Sequence, residues 1–297
     1  MDWNDLKYFL AVARAKSLTG AATRLKVSQA TVSRRITALE SSLKTSLFAR
    51  GIGGFLLTET GQALVAHAEE AEAHMLWIER GATSPADSLS GTIRLEVPEL
   101  LGQYFIIPEL AEFALRHPDI QLEIIADVRS ARLSKGEGDV LIRLSRPDHG
   151  DYTIRKIGRL TLGLYCAQQY IDRYPDWDRA SLTGDHRLIG WEASLGYLPM
   201  ARWLEEQGGG SGLNYSVRSH TMGSQLAAAQ AGIGMAVLPS FLAKRAGLER
   251  VLRGAQPFET DIWLLQQSDS HKLTRVRALS DYLSEAFAKA SNELIES

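Results

Sequence analysis

Hydroxyls, an amide and paired guanidinium groups crowd one stretch near the start of the chain, Ser28-Gln29-Ala30-Thr31-Val32-Ser33-Arg34-Arg35. Val32, Ile36, Leu39 and Leu43 recur at steps of four, three and four. That spacing predicts one apolar stripe of a helix and turns Gln29, Ala30, Ser33, Arg34 and Thr37 to the opposite face. Ser28 stands where an N-cap belongs, so the first amides and the positive end of the helix dipole would favour a phosphate. The residue types suit contact with a nucleic acid. An ordinary solvated face would look similar, and this stretch alone does not separate the two.

Elsewhere the chemistry-bearing residues do not assemble into a catalytic or metal site. His117, His149, His186, His220 and His271 lack zinc-type spacing, and no Gly-x-Ser-x-Gly elbow is present. "GIGMAV" lacks the third glycine and the preceding strand of a dinucleotide fingerprint. We therefore expect no catalytic residue, no cofactor and no metal. The single cysteine, Cys166, has no partner for an intramolecular disulfide and is expected to pack as a small buried hydrophobe.

Charge is divided unevenly along the 297 residues. Residues 1 to 57 carry nine basic and three acidic side chains, a net +6, so the remainder holds −8 of the overall −2. A basic head favours a polyanion, and an acidic remainder argues against nucleic-acid adhesion along the whole chain. No apolar run approaches the ~20 residues of a membrane span, and no secretory leader is recognisable, so the cytoplasm is the expected location.

The elements that would hold the Ser28 stretch can be read around it. "DLKYFLAVARAK" predicts a first helix, and "SLTGAATRL" a short second one, entered through Ser17 or Thr19. Only "KVS" separates the second from the Ser28 helix, which is the arrangement of a helix-turn-helix whose second helix enters the major groove. "TSLFARGIGGFLLT" then predicts a small hairpin or wing.

Taken in order, "AATRLKVSQATVSRRITALESSLKTSLFAR" and "LLTETG" resemble the N-terminal winged helix-turn-helix of the LysR-type transcriptional regulators. The paired alanines, the Val-Ser turn, the Leu-Glu, the Leu-Phe-x-Arg and the Leu-Thr-x-x-Gly fall at that family's spacing. The resemblance implies that Gln29, Ala30, Ser33 and Arg34 face DNA; Ser28, Thr31, Arg35 and Arg50 are added as candidate contacts. The wing reads "GIGGF" where the family often carries basic residues, which leaves its phosphate grip to Arg50 and backbone amides.

From Thr58, an expected N-cap, a helix runs toward Gly81, with Leu64, Ala68, Ala71, Met75 and Ile78 alternating steps of four and three. That is the seam of a coiled coil and predicts a dimer. Beyond it "TIRLEVP", "IQLEIIA", "DVLIRL", "LTLGLYCA", "RLIGW", "GMAVLP" and "DIWLLQQ" alternate with helical segments, which predicts an α/β sheet with crossovers.

The expected fold is an all-α winged helix-turn-helix domain (1–58), a linker helix (59–80), a hinge (81–90) and an α/β effector domain (91–291). The resemblance implies that the last is built like a periplasmic binding protein, with subdomain I at 91–158 and 262–291 and subdomain II at 159–261. Ligands of such sheets sit at strand carboxyl ends near helix N-termini. This makes Pro98, Glu99, Leu100, Leu101, Arg143, Ser145, Trp191, Tyr197, Ser219, Thr221 and Met222 candidate effector contacts. Arg143, Trp191 and the Ser219 and Thr221 hydroxyls are expected to converge with the helix amides on a carboxylate-bearing or aromatic metabolite.

The function implied is a regulator that binds promoter DNA at a dyad, answers to a small-molecule effector, and associates as a dimer of dimers, with RNA polymerase as a further partner. An architectural DNA binder without effector, or a small-molecule binding protein or enzyme with an incidental helical head, are the alternatives.

Overall fold

The computed structural model describes residues 2–51, 54–81, 88–127, 138–147, 152–174, 182, 186–209, 212–252, 254–267 and 270–295. Contacts divide the chain into an N-terminal unit, ending before residue 86, and a C-terminal unit that follows it.

The N-terminal unit is built from α1 (Trp3–Ala15), α2 (Leu18–Leu25), α3 (Gln29–Leu43), the strands β1 (Phe48–Gly51) and β2 (Gly54–Leu57), and α4 (Glu59–Gly81). Each helix start is signalled by a side chain. Asp2 accepts the Asn4 amide, Ser17 the Gly20 amide at 3.0 Å, Ser28 the Thr31 amide at 3.1 Å and Thr58 the Gly61 amide at 3.0 Å. Such a cap satisfies one of the amides that the first helical turn leaves open. The first three helices end on Lys16, Lys26 and Lys44 in the left-handed region, with φ between 51° and 54°. Phe9, Leu10, Val12, Ala21, Val32, Ile36, Leu39 and Leu47 form the core. β1 and β2 pair antiparallel, Phe48 opposite Leu57. Phe9, Phe48 and Phe55 pack in sequence between the wing and α1, the first pair tilted and the second edge to face.

The C-terminal unit is one mixed sheet in the order β4-β3-β5-β11-β6-β9-β7-β8, with β10 paired to β6. Its strands are β3 (Gly91–Val97), β4 (Ile120–Ala126), β5 (Val140–Arg143), β6 (Tyr152–Cys166), β7 (Leu188–Trp191), β8 (Tyr215–Ser219), β9 (Met235–Pro239), β10 (Glu249–Val251) and β11 (Phe258–Gln267). β3, β4 and β5 run parallel, as do β7, β8 and β9. β6 and β11 are the long strands common to both halves: they pair antiparallel with each other, and β6 goes on to pair with β9. Their register slips between Ile262 and Trp263, opposite the step from Gly158 to Lys156. A bulge of this kind bends and further twists the strands that carry it.

Helices cover the sheet: α5 (Glu99–Leu101), a π-helical segment (Gly102–Ile106), α6 (Ile107–Arg116), α7 (Gln168–Arg173), α8 (Pro199–Gln207), α9 (Met222–Gln230), α10 (Ser240–Arg245), α11 (Thr274–Lys289) and α12 (Ser291–Ile295). Gly102 lets the first of these fold back tightly on β3, because a Cβ there would stand 2.3 Å from Val97 Cγ2. Cys166 is fully buried, and burial pushes its thiol up to about 12, with Glu249 adding to the effect. No described helix is long and apolar enough to cross a membrane.

Candidate DNA-binding face and effector cleft

On α3 the burial pattern sorts residues as the spacing predicts, except at Ser33 and Leu43. Val32, Ile36 and Leu39 are buried, while Ser28, Gln29, Ala30, Arg34 and Thr37 are exposed and Thr31 and Ser33 half-buried. Leu43 is 38% exposed, since the helix ends beside it at Lys44. Ser28 also exchanges a hydrogen bond with the Thr31 hydroxyl at 2.8 Å, so the first turn is tied to itself.

Arg35 departs from the expectation of a free phosphate contact. It donates to Asp2 at 2.9 Å and to Asp5 at 3.2 Å, and lies over the Tyr8 ring. It fastens α3 to the start of α1, and these partners hold its guanidinium above its ordinary range. The Arg50 side chain lies outside the described residues. Glu40 accepts the Leu47 amide at 2.7 Å and the Phe48 amide at 3.2 Å and so fixes the entry to the wing.

The stripe on α4 is also spent differently. Ala68 is 1% exposed and so is taken up by the core of its own unit, against which the half-buried Leu64 and Ala71 also pack. Arg14 holds the same helix to α1 through Glu72 at 2.8 Å and Glu69 at 3.4 Å. Met75 is 46% exposed, and the Ile78 side chain lies outside the described residues.

In the C-terminal unit a cleft opens where strand carboxyl ends meet. It encloses about 700 Å³, counting the solvent at its mouth. Among the described residues its lining is Pro98, Glu99, Leu100 and Leu101 after β3, Leu144 and Ser145 after β5, Leu198 to Met200 at α8, and Met222 at α9. Leu160 and Leu162 of β6, Pro239, Phe258 and Thr260 complete it. Pro98, Glu99, Leu100, Leu101, Ser145 and Met222 of the expected set therefore come together. Arg143, Trp191, Tyr197, Ser219 and Thr221 are not among its described lining residues.

The reasons are specific. Arg143 is buried and donates to Glu96 at 2.6 Å and to the Ile142 carbonyl at 3.2 Å, an ion pair inside the β3/β5 layer. Trp191 is 4% exposed core. Ser219 accepts the Thr221 amide at 3.1 Å, and Thr221 caps α9 by accepting the Ser224 amide at 3.2 Å. The first amides of α9 are occupied from within: Glu99 accepts Met222 N at 2.9 Å through one oxygen and Gly223 N at 3.1 Å through the other. Gly223 permits this approach, since a Cβ there would lie 3.1 Å from Glu99 Oε1.

A profile described as the bacterial regulatory helix-turn-helix protein, lysR family, matches residues 3–62, and one described as the LysR substrate binding domain matches residues 86–288. The chain belongs to the LysR family. It is a DNA-binding transcriptional regulator with an effector-binding domain, and not an enzyme. Over 97% of its length it is 26% identical to the Mau operon transcriptional activator of Paracoccus denitrificans, covering 98% of that protein. Among solved structures, CbnR, a LysR family transcriptional regulator, superposes with a TM-score of 0.63 at 18% identity, covering 96% of this chain and 99% of that one. The Vibrio cholerae virulence activator AphB gives 0.57 at 22% identity, covering 95% and 98%. These structural likenesses show the same fold over at least 95% of the chain. Within this LysR protein no group of three or more His, Cys, Asp or Glu among the described residues is placed to hold a metal ion.

Proposed function

We propose that this LysR regulator reads promoter DNA with the amino end of α3 and changes its DNA-bound arrangement when a small effector enters the cleft between its α/β subdomains. The observation that carries the DNA half is the exposed row Ser28, Gln29, Ala30 and Arg34 on a helix whose other side, Val32, Ile36 and Leu39, is fully sequestered. Gln29 and Ser33 supply groups for base edges, and Arg34 and Arg50 charge for phosphates, while Ser28 and Thr31 order the first turn. Arg35 serves by fixing the angle of α3 on α1.

The effector reading rests on a cleft whose walls come from both sides of the β6/β11 crossover. We place subdomain I at 91–158 and 262–291 and subdomain II at 159–261, meeting at the register slip. The preceding segments are a DNA-binding domain at 1–58, a linker helix at 59–80 and a hinge at 81–90. An effector shifts this molecule only by its difference in affinity between two arrangements. Self-association, first as a dimer and then as a dimer of dimers, uses the distal half of α4 around Met75 and Ile78. RNA polymerase is the partner through which such a regulator acts, and the cytoplasm is where both are met.

Titration of the full chain against dyad-containing upstream DNA and against scrambled DNA at one salt concentration tests the DNA half. A preference of about 10³ or more supports it, and equal affinity overturns it in favour of an architectural binder.

A further inference from the structure

The amides at the start of α9 are the polar feature of the cleft best suited to an anion, and Glu99 has already filled them. The carboxylate spans both Met222 N and Gly223 N and is 9% exposed. No Lys, Arg or His is among the described lining residues, because Arg143 is turned away into its pair with Glu96. Two other hydroxyls belong to the wall: Thr260 donates to the Leu144 carbonyl at 2.5 Å, and Ser145 lies at the exposed mouth. The rest of the wall is hydrocarbon, with Leu101, Leu160, Leu162, Met200, Pro239 and the Phe258 ring among it.

We infer that the effector of this regulator is an uncharged, largely apolar molecule, and that Glu99 is the specificity residue that turns anions away; the inference rests on the cleft being the effector site. An incoming carboxylate would find the helix amides taken and a like charge beside them; the guanidinium groups nearest the cleft, Arg146 and Arg159, line the adjoining open pocket beyond Ser145 and Thr260, where Arg159 is already paired with Glu259 and Asp261. A neutral ligand asks only for apolar burial, which the walls supply. The charge that would ordinarily arrive with a ligand is here part of the chain, carried by a residue that follows β3 and docked on a helix that follows β8.

The probes are three molecules of one shape: benzyl alcohol, benzoate and benzylamine, measured by calorimetry on the full-length protein. The wild type should bind benzyl alcohol at least about tenfold more tightly than benzoate or benzylamine, a gap of about 1.4 kcal/mol. Glu99→Ser vacates the amides and should tighten benzoate at least about tenfold while benzyl alcohol moves less than about threefold. Glu99→Gln removes charge with little change of shape and, should Glu99→Ser not fold, carries the same comparison. Ser145→Trp places bulk at the exposed mouth and should weaken benzyl alcohol about tenfold. Benzoate or benzylamine binding the wild type as well as the alcohol does, or no gain for benzoate in either Glu99 variant, overturns the assignment of ligand class while leaving the cleft in place. No binding of any probe to the wild type, or binding untouched by Ser145→Trp, overturns the cleft as the effector site and the inference with it.

Discussion

Glu99 and Met222 stand 123 residues apart, and the carboxylate of the first accepts the backbone amide of the second at 2.9 Å, in the wall of the cleft. With the Gly223 amide at 3.1 Å this is a two-pronged, charge-assisted contact between the segment after β3 and the first turn of α9. Glu99→Ala leaves two amides open and should lower the stability of the C-terminal unit by about 1–3 kcal/mol. At about 2–4 °C per kcal/mol for a unit of this size, a melting scan should show a drop of several degrees. Gly223→Ala crowds the same oxygen from the helix side and should act in the same direction but less, since the carboxylate needs to give by only a few tenths of an ångström. An unchanged melting temperature for both would show that the contact contributes nothing to holding the two segments together.

The Glu96–Arg143 pair makes a second, sharper case, because both side chains are buried and Arg143 Nε and Glu96 Oε1 have no hydrogen-bond partner among the described residues. Removing one partner strands a buried charge, so Glu96→Leu should cost about 3–5 kcal/mol. Replacing both, Glu96→Leu with Arg143→Met, should recover most of the loss. Denaturant titration of the three variants measures the coupling directly, and additive losses would place the two charges in independent environments.

The outline of this molecule was legible because it is written in local patterns, whereas the use made of particular side chains was not. Ser17, Ser28 and Thr58 are caps where the sequence places caps, since capping involves residues two or three apart. Periodicity names a stripe without naming what covers it, and for that reason Leu64, Ala68 and Ala71 read as a seam yet pack on their own core. Arg143 and Glu99 are long-range cases. Each looked available to a ligand, and each is engaged by a group 47 or 123 residues away, Glu96 and Met222. Thr221 and Ser219 were placed correctly beside α9, but their hydroxyls are committed to that helix's own cap.

Cys166 supplies the clearest dependence on pH. Its thiol is pushed from 9.0 up to about 12 in the native state, first by burial and then by Glu249. Well below pH 9 the thiol is protonated in both states and stability is unaffected; from near 9 up to about 12 the unfolded chain releases the proton while the native thiol keeps it, so unfolding is favoured as pH rises, by up to about 1.4 kcal/mol per pH unit. Cys166→Ala should remove that slope, visible as a difference between the two unfolding curves at pH 10 that vanishes at pH 7. The same burial predicts no reaction with a thiol reagent at pH 8 until the protein is unfolded.

The two halves of α4 should respond oppositely to one kind of change. Ala68→Glu puts an unpaired charge into the core of the N-terminal unit, where burial is nearly complete, and should cost several kcal/mol and disrupt DNA binding with it. Met75→Glu alters a half-exposed position further along, so the unit should keep its melting temperature while the mass measured by light scattering falls toward that of a single chain. Unchanged mass with Met75→Glu would remove the distal half of α4 from the association surface.

On α3 the base-reading and charge-supplying roles separate by what each loses. Ser33 is half-buried on the flank of the helix, beside the buried stripe of Val32 and Ile36, and Arg34 is exposed beyond it. If the Ser33 hydroxyl meets a base edge, Ser33→Ala should relax preference at one base pair by about 1–3 kcal/mol and leave random DNA nearly unaffected. Arg34→Ala, by giving up a phosphate, should weaken cognate and random DNA alike and reduce the slope of log affinity against log salt by about one. Arg35→Ala differs from both: its guanidinium is committed to Asp2 and Asp5, so its loss should loosen α1 against α3 and appear as faster amide exchange at the start of α1. Binding curves for the three variants on cognate and scrambled DNA at several salt concentrations distinguish these patterns. Equal losses on both DNAs for Ser33→Ala would assign that hydroxyl to the backbone and leave Gln29 as the reader of sequence on this helix.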